Sequence, residues 1–227
     1  MIPKIYPYPL KQEPYNDGVL KMHKLALENG FRSDPLPELE FIKNPKEHIV
    51  RALNNFGKTT LTDMLNSKLA GSKDYKNAMR AMPKLSQVKE LKKYRQEHPN
   101  YDANAVNDEI KEHGHVLASG QILFHGGSFL KDSTEKYLEN FVTDRPLSTT
   151  LCAQVAAVHA SYHQPKDVWM LHVAEGSKIK AFVFSNDSRQ THGHETEILL
   201  EKGVSITYRE SFKEGEFTIY NVLVSKI

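Results

Sequence analysis

The chain changes in character near residue 120, and this change limits the folds available to it. Before that point, apolar residues recur at helical spacing between capping residues and glycine stops, as in VLKMHKLALENG. After it come short apolar or alternating runs separated by Gly, Ser, Asn and Asp, a pattern typical of strands. These runs are QILFHGG, VWMLHVA, KIKAFVF, TEILL, SITYRE and FTIYNVLV. Helices followed by strands predict an α+β protein.

The helical half has recognisable beginnings and ends. Asn16 or Asp17 is expected to cap a first helix that stops at Gly30, and PKEHIVRALNNFG repeats the pattern from a proline to a glycine. In the second half, CAQVAAVHASYH predicts one helix among the strands. The 227 residues are enough for one domain with a substantial core. We expect a helical N-terminal region over 1–115 packed on a core over 116–227.

Composition excludes several classes of protein. A single cysteine, Cys152, rules out an intrachain disulfide framework and indicates a reducing compartment. The N-terminal segment MIPKIYPYPLKQEPYNDG lacks the apolar core of a signal peptide, and no run is long enough to span a bilayer. We therefore expect a cytoplasmic protein without a membrane partner.

The charge of the chain leaves one open question about its partners. A formal net charge of +2 does not by itself indicate nucleic-acid binding. The segment 73–95, however, has a local excess of Lys and Arg that is suited to phosphates or to an acidic partner. The alternative is an ordinary solvated helical face.

Two features look like functional motifs, a phosphate-binding loop and a cysteine nucleophile. The residues around them exclude both interpretations. FGKTT at 56–60 resembles the end of a phosphate-binding P-loop, but the glycine required five residues before Gly57 is replaced by Ala52. We assign this segment to the start of a helix. Cys152 has no histidine at a spacing that would activate it directly, so it is expected to pack as a small residue at a helix start.

The segment HGHETE at 192–197 admits a metal-binding interpretation. His192 and His194 could point the same way in an extended chain, and Glu195 could join them as a ligand. A zinc site needs a third or fourth ligand and an orienting shell around them. The remaining histidines offer no convincing second pair, so we expect no metal.

The same segment holds two carboxylates with a spacing that suits catalysis. Glu195 and Glu197 open an apolar run that reads as a strand, where alternate side chains share a face at about 6.5 Å. Such a pair suits cleavage of a glycosidic bond, in which one carboxylate stabilises developing positive charge and another handles the nucleophile. The alternative is two solvated glutamates at a strand edge.

Three short motifs in order then resemble a known family. LFHG lies at 123–126, LSTT at 147–150 and ETE at 195–197. Their order is similar to that of the mono-ADP-ribosyltransferases, whose arginine-modifying branch has an Arg-Gly strand, a Ser-Thr-Ser strand start and a Glu-x-Glu strand. The resemblance covers 116–227. It implies a β-sandwich core of two packed sheets and NAD as substrate, with no metal.

The resemblance also implies roles for the catalytic motifs. Glu197 matches the glutamate that binds a ribose hydroxyl of NAD and stabilises the ribosyl cation. Glu195 matches the residue that orients or deprotonates the acceptor. Ser148 matches the serine that positions the catalytic glutamate, with Thr149 and Thr150 supporting the strand corner.

Four further residues are implied to contact NAD. Gly126 matches the glycine whose backbone holds the nicotinamide amide. His125 stands where the arginine-modifying branch has arginine, and it resembles the histidine with which the diphtheria-toxin and poly-ADP-ribose-polymerase branch binds the adenosine ribose. By position in the loop before Glu195, Arg189 is a candidate for the pyrophosphate and Phe184 for packing against nicotinamide.

The implied activity is an NAD-dependent mono-ADP-ribosyltransferase that releases nicotinamide and modifies a protein arginine or a nucleic acid, RNA or DNA. An intracellular toxin held by an antitoxin or inhibitor protein, or a phage or anti-phage effector, would fit such a chain. Two alternatives stay open. One is an NAD glycohydrolase, and the other is a non-catalytic NAD-binding protein of the same fold, for which the histidine at 125 is the main argument.

Overall fold

The computed structural model describes residues 1–31, 36, 39–54, 56, 60–97, 99–128, 141–185 and 195–226. In this part of the chain the α-helices are α1 (Asp17–Glu28), α2 (Pro45–Asn54), α3 (Thr60–Gly71), α4 (Lys73–Ala81), α5 (Lys89–Glu97), α6 (Ala103–His113) and α7 (Ala153–Ser161). The strands are β1 (Leu10–Lys11), β2 (Phe41–Ile42), β3 (His115–Val116), β4 (Ile122–Gly126), β5 (Phe141–Val142), β6 (Leu147–Thr150), β7 (Asp167–Val173), β8 (Lys180–Val183), β9 (Glu197–Leu200), β10 (Ser205–Glu214) and β11 (Phe217–Ser225).

The predicted division into helices and then strands is confirmed. Asn16 caps α1, where its side-chain oxygen accepts a hydrogen bond from the backbone N–H of Val19 at 2.9 Å. The helix predicted from PKEHIVRALNNFG is α2, and the helix predicted within CAQVAAVHASYH is α7. The α6 helix was not predicted. Asp102 caps it by accepting hydrogen bonds from two backbone N–H groups.

Nine strands form one hydrogen-bonded sheet in the order β3-β8-β9-β6-β4-β7-β11-β10-β5, and β1 and β2 form a separate small sheet. Neighbouring strands are antiparallel except β7 and β11, which are parallel. The expectation of two sheets therefore needs a correction in detail. The hydrogen bonding is continuous, but β4 and β6 share only the pair Phe124↔Thr150. The strands thus fall into two groups that meet at this single pair.

Helix α7 packs against β4 at backbone contact. Its inner face is built from small residues, among them the buried Ala156 and Ala160. A Cβ atom on Gly126 of β4 would lie only 1.9 Å from the carbonyl oxygen of Ala156 and 2.7 Å from the backbone nitrogen of Ala160. Glycine at 126 is therefore required for the helix to approach the sheet this closely.

The buried hydrophobic residues of the helical half and of the sheet form one continuous core. Its largest fully buried side chains come from both parts, for example Tyr75 and Leu91 from helices and Phe124 and Trp169 from strands. Burial of such side chains is the main favourable contribution to folding. The helical region and the sheet are therefore stabilised by shared contacts.

Cys152 occupies the position expected for it. It lies at the N-cap of α7, is fully buried, and its Sγ is 3.7 Å from Oγ1 of Thr62. Burial raises the pKa of the thiol, which makes it a poor nucleophile. In the FGKTT segment, Gly57 to Thr59 lie outside the described residues, and α3 begins at Thr60.

None of the described helices has the length and apolar character required to cross a membrane.

Candidate active site

A cleft of about 390 Å³ opens where the two groups of strands meet. Strands β4, β6 and β9 supply its floor, and α5 and α7 supply its walls. The described residues that line it are Tyr94, Arg95, Phe124, His125, Gly126, Ser148, Thr149, Thr150, Val155, Ala156, His159, Glu195 and Glu197. Residues from all three sequence motifs are therefore brought into one cavity.

Glu197 is the most enclosed acidic group of the cleft, with 6% of the residue exposed. It is the first residue of β9. Its Oε1 accepts hydrogen bonds from the hydroxyls of Tyr94 at 2.6 Å and Ser148 at 2.8 Å. Its Oε2 lies 3.9 Å from Nη1 of Arg95. The carboxylate is thus held from two sides by donors that come from different elements.

Opposing influences act on the charge of Glu197. Burial raises the pKa of its carboxyl group, and the nearby Glu195 acts in the same direction. The hydrogen bonds from Tyr94 and Ser148 and the positive charge of Arg95 act against this rise, because they favour the ionised form. The site therefore holds a poorly solvated carboxylate whose charge depends on three neighbouring side chains.

The hydroxyl groups of β6 organise the start of β9. Ser148 donates to Glu197, Thr149 donates to the carbonyl oxygen of Ile198, and Thr150 donates to the carbonyl oxygen of Glu195. Strands β6 and β9 are antiparallel, with Thr150 opposite Glu197. Thr149 is thus bonded to β9 itself, and Thr150 is bonded to the backbone two residues before β9 begins.

Glu195 reaches the cleft by a different backbone geometry from the one predicted. The prediction placed Glu195 and Glu197 on one face of a regular strand, but β9 begins only at Glu197. Thr196 has φ of +48°, a left-handed conformation that is unfavourable for a β-branched residue. Its hydroxyl bonds to the carbonyl oxygen of Glu195 at 2.7 Å and lies 3.1 Å from the hydroxyl of Thr150. Both glutamates still line the same cleft.

His125 is partly buried in β4 and is neutral near pH 7, because burial lowers the pKa of its imidazole to about 4. Its Nδ1 lies 2.7 Å from the carbonyl oxygen of Ser148. A carbonyl can only accept, so Nδ1 carries the proton and Nε2 is the acceptor nitrogen of this tautomer. His125 therefore joins β4 to the serine motif and offers an acceptor, not the positive charge of an arginine.

The remaining predicted site residues differ in how far the structure describes them. Gly126 lines the cleft, but its closest constraint is the backbone of α7 described above. Phe184 is 2% exposed and does not line the cleft. Its ring stacks on Tyr94 at 6.1 Å and lies 4.6 Å from the guanidinium carbon of Arg95. Phe184 thus packs against Tyr94 and Arg95 without lining the cleft itself. Arg189, with His192 and His194, lies outside the described residues.

Sequence reasoning missed three polar or charged residues of the cleft. Tyr94 and Arg95 come from α5, and His159 comes from α7, where its Nε2 lies 3.6 Å from Oε1 of Glu195. This contact is the main reason that the pKa of His159 is raised. A buried face on α5 was readable from the spacing of Leu91, Tyr94 and Arg95. No sequence signal indicated that this face meets the cleft.

Within the described residues, no group of three or more His, Cys, Asp or Glu side chains is arranged to hold a metal ion. Arg95 is the one lining residue of the described cleft with a permanent positive charge. The cleft thus combines two carboxylates, one guanidinium and several hydroxyl groups.

Comparison with known proteins gives similarities at the level of structure. No protein-family model and no curated protein matches the chain. Among solved structures, the chain is similar to the ADP-ribosylating toxin BECa of a binary enterotoxin of C. perfringens, with 13% identity and a TM-score of 0.44. That match covers 82% of this chain and 51% of the other, so the chain spans about half the length of BECa.

Two shorter proteins are also similar. The Vis toxin, an ADP-ribosyltransferase from Vibrio splendidus, has 14% identity and a TM-score of 0.41 over 86% of this chain and 89% of its own. Plx2a, an ADP-ribosyltransferase toxin from Paenibacillus larvae, has 13% identity and a TM-score of 0.46 over 71% of this chain and 96% of its own. Identities and TM-scores this low do not establish a family, and the function must be inferred from the residues of the cleft.

Proposed function

We propose that this protein is an NAD-dependent mono-ADP-ribosyltransferase, which releases nicotinamide and passes ADP-ribose to an acceptor. The observation that carries the proposal is the hydrogen bond of 2.8 Å from Ser148 to the buried Glu197, inside a cleft that His125, Gly126 and Glu195 also line. These residues belong to the three motifs that resemble the family, and nothing in their separation along the chain requires them to meet.

In the proposed reaction, Glu197 accepts a hydrogen bond from a ribose hydroxyl of NAD and stabilises the positive charge that develops as nicotinamide leaves. Such stabilisation is strongest where the charged group is fixed in advance and shielded from water. Glu197 meets both conditions, because it is buried and held by Tyr94 and Ser148. The neutral His125 is suited to accept a hydrogen bond from a sugar hydroxyl.

The acceptor side of the reaction is assigned to Glu195. It lines the cleft two residues before Glu197 and lies beside His159. A carboxylate at this place can orient a guanidinium or remove a proton from the attacking group. Exposed lysines lie on the cleft-lining helix α5, at Lys89 and Lys92, and before it, at Lys84. Their positive charge suits a phosphate backbone, so a nucleic acid is a candidate acceptor beside a protein arginine.

The first experiment uses purified protein, NAD labelled on its adenylate half, and a cell lysate. Label that protease removes identifies a protein acceptor, and label that nuclease removes identifies RNA or DNA. Free labelled ADP-ribose without labelled macromolecules indicates an NAD glycohydrolase or a lysate that lacks the target. Bound but intact NAD in every lysate contradicts an enzyme and supports a non-catalytic NAD-binding protein.

The variant Glu197→Gln tests the proposed role of the carboxylate. Nicotinamide release is expected to slow on the order of 10²–10³-fold, which corresponds to about 2.7–4 kcal/mol of lost transition-state stabilisation. The matched control is Glu201→Gln, because Glu201 is also buried but bonds to Lys180 and Lys226 outside the cleft. Unchanged nicotinamide release in Glu197→Gln would remove Glu197 from the mechanism.

A further inference from the structure

Helix α5 brings two side chains of the helical region into the cleft. Its inner face consists of Leu91, Tyr94 and Arg95, which are all buried. The first turn of the helix is fixed by α6, because Glu109 accepts a hydrogen bond of 2.7 Å from the backbone N–H of Leu91. The position of Tyr94 relative to the sheet is therefore set by packing between helices.

The two oxygen atoms of Glu197 have different surroundings. Oε1 accepts from both Tyr94 and Ser148, and these two bonds use the two lone pairs of that oxygen. Oε2 lies 3.9 Å from Nη1 of Arg95, which is beyond hydrogen-bond distance. A substrate hydroxyl that donates to Glu197 would therefore bond to Oε2.

We propose that Tyr94 is a positioning residue for Glu197: its hydroxyl, together with that of Ser148, fixes Oε1 and presents Oε2 to the substrate. This inference rests on the proposed function, in which Glu197 holds the ribose of NAD. The ring of Tyr94 is itself held, because it meets Tyr101 edge-on at 4.9 Å and stacks on Phe184 at 6.1 Å. The helical region is thus part of the active site and not only a support for the sheet.

The test compares Tyr94→Phe with wild type in the full chain. The change removes one hydroxyl and keeps the ring contacts, so the fold is expected to persist, as circular dichroism and thermal melting would verify. Because the lost hydrogen bond is made to a charged group, the kcat of nicotinamide release should fall on the order of 10- to 100-fold. The KM for NAD should change little, since the hydroxyl of Tyr94 is already bonded to Glu197.

The matched control is Tyr75→Phe. Tyr75 is also a buried tyrosine of the helical region, and its hydroxyl has no hydrogen-bond partner among the described residues. This variant should keep the kcat and the pH profile of wild type. A Tyr94→Phe protein that folds and also keeps both would overturn the proposal.

The pH dependence of kcat distinguishes a positioning role of Tyr94 from a role in stability alone. Glu197 acts as a carboxylate, and the hydroxyl of Tyr94 lowers its pKa against the effect of burial. Loss of that hydroxyl should therefore move the acidic limb of the kcat profile to higher pH. Other titratable groups that act on Glu197 or feel its charge are Arg95, Tyr101, Glu195 and His159, and all of them remain in the variant.

Titration of Glu197 needs no turnover. It therefore distinguishes a failure of the positioning role of Tyr94 from a failure of the proposed function. The carboxyl carbon of Glu197 can be titrated by ¹³C NMR, with Glu197→Gln to assign its signal. Tyr94→Phe should raise the pKa of Glu197 above its wild-type value, and an equal pKa would overturn the positioning role. If wild type released no nicotinamide while this pKa difference persisted, the proposed function would fail and the contact between Tyr94 and Glu197 would stand.

Discussion

The substitution Gly126→Ala probes the contact between α7 and β4, on which one wall of the cleft depends. Its added methyl group would lie 1.9 Å from the carbonyl oxygen of Ala156. Ordinary van der Waals contact for a Cβ begins at 3.4 Å, so the helix and the strand must separate by about 1.5 Å. Both obstructing atoms nearest to the new methyl group belong to the backbone of α7, which cannot yield by changing a rotamer.

The expected loss of folding stability follows from the size of this separation between α7 and β4. Overpacking of a well-packed interior costs about 1–3 kcal/mol, and a clash with backbone belongs at the upper end of that range. For a protein of this length, each kcal/mol lowers the Tm by about 2–4 °C. Gly126→Ala should therefore lower the Tm by roughly 6–12 °C. Because α7 also carries His159 into the cleft, the proposed binding of NAD should weaken in the protein that remains folded.

Differential scanning calorimetry of wild type, Gly126→Ala and a glycine control measures this effect. Gly71 is the matched control, because it ends α3 and a Cβ added there would meet no atom of the described residues within 4 Å, apart from its own helix backbone and chain neighbours. Gly71→Ala should leave the Tm unchanged or raise it slightly, since alanine is the better helix former. A Tm of Gly126→Ala equal to that of wild type would refute the close approach of α7 to β4.

Two further predictions concern Glu195 and its neighbours. The pKa of His159 is raised from 6.5 by Glu195, so the pair should stabilise the fold fully below pH 6.5 and lose its effect as the pH rises through the raised pKa. His159 is half exposed, so urea unfolding of His159→Asn should show a loss of only about 0.2–1 kcal/mol at pH 6 and none at high pH; a constant difference would contradict the pairing. At Thr196, glycine relieves the left-handed backbone and alanine does not. Thr196→Gly should therefore be more stable than Thr196→Ala by about 1 kcal/mol, and the reverse order would contradict the strain.

The sequence predicted most of the helices and strands, because these depend on local patterns. Helix caps such as Asn16 and stops such as Gly30 act within one or two turns, and alternating runs reveal strands without reference to the rest of the chain. The order of the three motifs, through their family resemblance, also predicted the pairing of Ser148 with Glu197. The structure places these two side chains 2.8 Å apart.

Only the tertiary structure decided which helix completes the cleft and how Glu195 enters it. Tyr94 is 103 residues from Glu197, and the burial of one face of α5 does not reveal what that face contacts. Thr196 takes a left-handed conformation because bonds from β6 hold the backbone around it, and a local pattern of alternating residues cannot predict such bonds. Sequence periodicity determines which side chains are buried together in one element, whereas long-range packing determines which elements meet.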